Sequence, residues 1–202
     1  QGMARDSARV RFAGSSSQAH TSAPEALRAS AAASPERARP STALISPSNT
    51  NPGLTDWPDN GYYFRTAPSD NLQGKVIANQ ILQDGSKNVA VIYQDSSYGK
   101  GLSDVATGVL TKGKATVTGY AFPENETNFA SIVDKALAAK PDAVLLISYD
   151  EAKKAIPALK AKAFDAKNLY LVDGNLADYS KESFAEYLNG AKGSLPGKAT
   201  DK

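Results

Sequence analysis

One short stretch sets the terms for the rest of the chain. Asn88–Asp104, NVAVIYQDSSYGKGLSD, opens with Val89, Ala90, Val91, Ile92 and Tyr93. This run is apolar at consecutive positions and rich in β-branched residues, the pattern of a strand buried between two layers. Gln94, Asp95, Ser96 and Ser97 then change the character at once, and Ser96 or Ser97 can cap a helix. Leu102, Val105, Ala106, Val109 and Leu110 follow at helical spacing. The unit is therefore strand, polar loop and amphipathic helix.

The same alternation recurs along the chain. Ser69 or Asp70 is placed to cap a helix carrying Leu72, Val76, Ile77, Ile81 and Leu82, which Asp84-Gly85 ends. Thr116–Phe122 reads as a strand and Phe129–Leu137 as a helix. Ala143–Ser148 reads as a strand and Ala155–Ala163 as a helix, in which Pro157 should force a kink or a late start. Leu169–Val172 reads as a strand, and Tyr179–Leu188 as a last helix. Upstream, Ala43–Ser46 and Tyr62–Arg65 read as short strands flanking the turn-rich PSNTNPGLTDWP. Parallel strands need crossover helices of this kind. The expected fold class is α/β, a parallel sheet with helices on both faces.

The first forty residues differ in kind. Gln1–Pro40 consists largely of Ala, Ser, Arg and Pro, holds six of the seven arginines and contains no lysine. Such a composition buries too little apolar surface to offset chain entropy, so a disordered or foreign tail is expected there. The only histidine, His20, lies in it and is not expected to act as ligand or base. Residues 41–69 then read as the remnant of a first lobe and a crossover, and 70–202 as a second, nearly complete lobe. On this reading the strand Ala43–Ser46 has lost its neighbours and exposes unpaired backbone groups.

Composition and motifs exclude several function classes. The net charge is +2, which gives no argument for a nucleic-acid partner. The chain has no cysteine, hence no disulfide, thiolate metal site or cysteine nucleophile. No run reaches the ~18 apolar residues of a membrane span, and no apolar segment follows the first arginines as a signal peptide would require. No G-x-G-x-x-G or G-x-S-x-G is present. GVLTKGKA, residues 108–115, approaches a phosphate loop but lacks the following Ser or Thr and leads from helix to strand, the wrong order. Acidic residues do not cluster at metal spacing. Asn125-Glu126-Thr127 fits a glycosylation sequon, a match common by chance. Catalytic residues, a metal and a cofactor are not expected, and the chain does not read as an enzyme.

What remains is a set of polar residues at strand ends: Ser48, Asn49 and Thr50 after the first strand, then Tyr98, Tyr149 and Asp173 after three later ones. Loops at the carboxyl ends of parallel strands converge on one sheet edge, where ligands bind. Hydroxyls, an amide, aromatic walls and one carboxylate suit a small zwitterion better than a phosphate.

From about Ala43 the chain resembles bacterial substrate-binding proteins of the branched-chain amino acid type, the type I periplasmic binding fold. The segments that carry the likeness are LISPSNTNPGLT, YYFRTAPSDNLQG, VAVIYQDSSYGKGL, ENETNFASIV, AAKPDAVLLISY and LYLVDGNLAD, in order over roughly residues 43–192. The resemblance implies a two-lobed clamshell that captures a small amino acid outside the cytoplasm, in the periplasm or as an anchored lipoprotein, and delivers it to an ABC permease. It implies that Ser48 and Thr50 hold the ligand's ammonium and carboxylate, that Tyr98 and Tyr149 line the cleft, and that Asp173 lies near the acidic partner of the ammonium. A ligand-sensing domain of the same fold is the alternative. The family begins with a βαβ unit and later returns to its first lobe, so the likeness also implies a partial chain.

Overall fold

A computed structural model describes residues 9–12 and 42–195. The chain divides into two compact units, Gln1–Ser69 and Asp70–Lys202.

The first unit holds a three-stranded parallel sheet of order β1-β2-β3, with β1 Arg9–Phe12, β2 Thr42–Ser46 and β3 Tyr63–Arg65. Two expectations need correction. Arg9–Phe12, read as part of a structureless tail, forms β1; its sequence RVRF alternates charged and apolar residues, the period of a strand. The strand read as stripped of neighbours, β2, is the central one: Val10 lies opposite Ala43, and Ile45 opposite Phe64. The rest of the segment read as a tail lies outside the described residues. The loop after β2 is pinned from β3. Arg65 donates from Nη1 to the Asn51 carbonyl at 2.8 Å and from Nη2 to Thr55 Oγ1 at 2.6 Å.

The second unit is a five-stranded, all-parallel sheet of order β5-β4-β6-β7-β8. Its elements run α1 Asp70–Gln83, β4 Asn88–Gln94, α2 Ser97–Lys112, β5 Thr116–Phe122, α3 Ala130–Ala138, β6 Ala143–Ile147, α4 Ala152–Ala161, β7 Leu169–Leu171 and β8 Lys192–Gly193. The expected α/β architecture, a parallel sheet with helices on both faces, is what the chain forms.

Strand alternation divides the core in two. Val89 and Val91 of β4, Ala143, Leu145 and Ile147 of β6, and Tyr170 of β7 pack with Ile77, Ile81, Leu102 and Leu110 of α1 and α2. Ala90 and Ile92, Val144 and Leu146, and Leu169 and Leu171 face the other way, onto Val133 of α3 and Ala155, Ile156 and Leu159 of α4. Every residue of β6 is fully buried, which is why its sequence AVLLI is apolar without alternation.

Local chemistry places the helices. Ser96 caps α2, its hydroxyl accepting from the Gly99 N–H at 3.2 Å. Gly85, at φ +86°, ends the α1 connection as expected. Pro157 lies inside α4, which nevertheless starts at Ala152 and not late. The expected helix over 179–188 does not form; only a short 3-10 turn, Ala185–Leu188, is present. Local bonds compete with it there: Asp178 Oδ1 accepts from the Ser180 N–H, and the Tyr179 hydroxyl donates to the Asn175 carbonyl.

Candidate functional site at the carboxyl edge of the sheet

From β4 the chain passes along one face to β5, and from β6 along the opposite face to β7. The loops leaving the carboxyl ends of β4 and β6 therefore diverge, which makes this pair of strands the switch point of the sheet, where open α/β folds bind ligands.

Three of the residues named from sequence meet here. Tyr98 lies in the first turn of α2 and not in the loop before it. Its ring stacks on that of Tyr149, from the loop after β6, with centroids 4.8 Å apart and planes 23° apart. Its hydroxyl donates to Asp173 Oδ1, in the loop after β7, at 2.8 Å. Glycine geometry makes this approach possible. A Cβ on Gly99 would stand 2.0 Å from the Gln94 carbonyl oxygen, and one on Gly174 would stand 2.7 Å from the Ser148 carbonyl and 2.8 Å from the Tyr98 hydroxyl.

The electrostatics follow from this packing. Burial is the main cause that holds the Tyr98 hydroxyl well above the ordinary tyrosine range, with further upward pressure from the charge and hydrogen bond of Asp173, then from Tyr149 and Asp70. Tyr149 is raised by burial first, then by Asp173, Asp70 and Glu151. Both hydroxyls stay protonated near neutral pH, with the Tyr98 proton held by Asp173. Asp70, in the first turn of α1, is fully buried. The site is thus two stacked phenols among carboxylates.

Sequence reasoning missed the residues that fasten these loops. Glu151 accepts from Gln94 Nε2 and from the Tyr149 N–H, each at 2.9 Å. Asn175, 2% exposed, donates to the Leu146 carbonyl at 2.8 Å and to Ser148 Oγ at 3.0 Å, and accepts from the Val172 N–H at 2.9 Å. The only signal of them in the sequence is a polar residue at or just beyond a strand end. Among the described residues no group of His, Asp and Glu is arranged to hold a metal ion, and no helix is long and apolar enough to cross a membrane.

Ser48, Asn49 and Thr50 lie in the first unit, in the loop after β2. The Ser46 hydroxyl accepts from the Ser48 and Asn49 N–H groups at 3.4 and 3.0 Å, which folds the loop back over the strand end. Asn49 and Thr50 are buried, and Asn49 Nδ2 has no hydrogen-bond partner among the described residues.

Comparison with known proteins agrees with this architecture. The profile of the periplasmic binding protein family matches residues 16–195, and so extends into the segment read as a tail. A Leu/Ile/Val-binding protein homolog of Brucella melitensis is 32% identical over 108 residues, which are 52% of this chain and 29% of that protein. A leucine-binding protein of Thermotoga maritima superposes with a TM-score of 0.59 at 23% identity, covering 65% of this chain and 38% of its own. A solute-binding protein of an ABC transporter from Rhodopseudomonas palustris, in complex with p-hydroxybenzoic acid, superposes with a TM-score of 0.65 at 14% identity, covering 72% and 40%. At these identities the two structures speak for the fold. The chain spans under a third of the Brucella protein and about two fifths of the two solved chains. These relatives are binding proteins and not enzymes, in line with the sequence reading. With well over half of its residues matched, the chain belongs to the periplasmic binding protein family, whose members bind small molecules outside the cytoplasm.

Proposed function

We propose that this chain contributes to capture of a small amino acid, of the branched-chain or a related type, for delivery to an ABC importer. The observation that carries the reading is the stacked Tyr98–Tyr149 pair bonded to Asp173 at the switch point of the sheet. Aromatic walls enclose an aliphatic side chain without demanding hydrogen bonds from it. Asp173, which accepts from the Tyr98 hydroxyl, offers a carboxyl group to a ligand that brings an ammonium. Ser48, Asn49 and Thr50 we propose as ligand-binding residues of the first unit, with the ammonium and carboxylate contacts of Ser48 and Thr50 being those the sequence resemblance implies.

The Rhodopseudomonas neighbour bound to p-hydroxybenzoic acid supports a second reading, an aromatic acid stacked on the tyrosines. That ligand brings negative charge towards carboxylates, so the amino acid is the better fit. Calorimetric titration with leucine, valine and p-hydroxybenzoate separates them. Leucine or valine should bind more tightly than p-hydroxybenzoate. Asp173→Asn should weaken the amino acids by about 1–3 kcal/mol through loss of a charged partner. Tighter binding of p-hydroxybenzoate, unaffected or improved by Asp173→Asn, would overturn the amino-acid reading.

A further inference from the structure

We infer that Glu151 is a positioning residue for the ligand site, acting through Tyr149; the inference rests on the proposed site. Glu151 stands at the N-terminal boundary of α4, and its side chain makes no cap bond. Its main-chain carbonyl opens the helix, accepting from the N–H groups of Lys154 and Ala155. Its carboxylate turns back towards the sheet and spans two strands. Oε1 accepts from Gln94 Nε2, and Oε2 accepts from the Tyr149 N–H.

The register explains why this bridge matters. Tyr93 of β4 lies opposite Ile147 of β6, so Gln94 and Ser148 are the next positions along the two strands. The pairing of Tyr93 with Ile147 is the last of that ladder, so Ser148 and Tyr149 lie beyond it. Gln94 itself is 4% exposed, a fixed anchor at the end of a buried strand. One carboxylate thus ties the Tyr149 N–H to the anchored Gln94, while the Tyr149 carbonyl accepts from the Ala152 N–H. Tyr98 needs no such device, because α2 and its Ser96 cap place it. Glu151 therefore sets the N–H side of the Tyr149 backbone, from which the ring reaches its stack on Tyr98. If Tyr149 holds the stacked position only a tenth of the time, apparent affinity falls about tenfold, although Glu151 never touches the ligand.

The exchange of partners tests this. Glu151→Ala removes both bonds, whereas Glu151→Gln can keep them, because the Gln94 amide can rotate to present its oxygen to the new amide donor. The double variant Gln94→Glu with Glu151→Gln also keeps both bonds, with the charge moved across. In Glu151→Ala the near-UV circular dichroism of the tyrosine pair should fall, and the Tyr149 amide should exchange faster, with far-UV dichroism kept. The double variant should retain both signals. Amino-acid affinity should drop about tenfold in Glu151→Ala and stay near the parent value in the double variant. Unchanged near-UV signal and Tyr149 exchange in Glu151→Ala would overturn the inference. So would a folded double variant that loses them. If Glu151→Ala does not fold, the double variant alone decides by the same signals. The dichroism and exchange are read without ligand. Failure of the wild-type protein to bind any amino acid would sink the proposed function, while these two readouts still decide the role of Glu151.

Discussion

The segment after β4 and the segment after β7 leave the same edge of the same sheet and each brings a side chain to the site, but they hold their shape by opposite means. Residues 94–112 are ordered locally. A serine cap starts α2, and Leu102, Ala106 and Leu110 recur at helical spacing against the sheet. Residues 172–191 are ordered from a distance. Asn175 reaches back to β6 and its loop, the Tyr187 hydroxyl donates to the Phe164 carbonyl at 2.8 Å, and the far end is fixed where Lys192 meets Asp84. A locally coded segment can be read from neighbouring residues, whereas a segment tied from afar can be read only once the register of distant strands is known.

Removing the long-range tie should have the largest effect. Asn175→Ala leaves the Leu146 carbonyl and the Val172 N–H without their bonds in a buried place. At about 1–3 kcal/mol for each of the two orphaned groups, the loss should be about 2–6 kcal/mol in chemical denaturation. It should also free Asp173 from Tyr98. A loss within experimental error would show that the segment does not depend on this tie.

The local code should be cheaper to damage. Ser96→Ala removes one cap bond and should cost about 1 kcal/mol. Amide exchange should accelerate only in the first turn of α2, near Tyr98. If protection across β7 also fell, the two segments would not be independent.

The smallest effect should come from acid at the far anchor. The Lys192 side chain beside Asp84, with the Tyr170 hydroxyl donating at 2.6 Å, holds the Asp84 carboxyl below its usual value. A carboxyl depressed on folding adds stability above its unfolded value, about 3.9 for aspartate. That stability fades as pH falls from there through the lower folded value. Asp84→Asn should flatten the acid limb of the stability curve, measured by thermal unfolding between neutral pH and pH ~3. An acid limb identical to that of the parent would remove Asp84 from the account.

The same division marks what the sequence disclosed. The strands β4 to β7 and the helices α1 to α4 were legible because each carries its own period, cap or stop. β1 was not, since a four-residue RVRF amid Ala, Ser and Arg offers too short a pattern to outweigh its surroundings. The expected helix over 179–188 failed because Tyr179 and Tyr187 spend their hydroxyls on distant or backbone partners, which composition does not reveal. Tyr98, Tyr149 and Asp173 could be named because each follows a recognisable strand, and the structure brings all three together. Gln94, Glu151 and Asn175 could not, because their roles exist only across strands.

Gly174 carries a consequence for anyone retailoring the proposed site. There is no room for even one methyl group between the Ser148 carbonyl and the Tyr98 hydroxyl, so position 174 is closed to any side chain without a shift of its neighbours. A library diversified at 98, 149 and 173 with position 174 held constant should therefore retain far more folded members than one that samples position 174 as well.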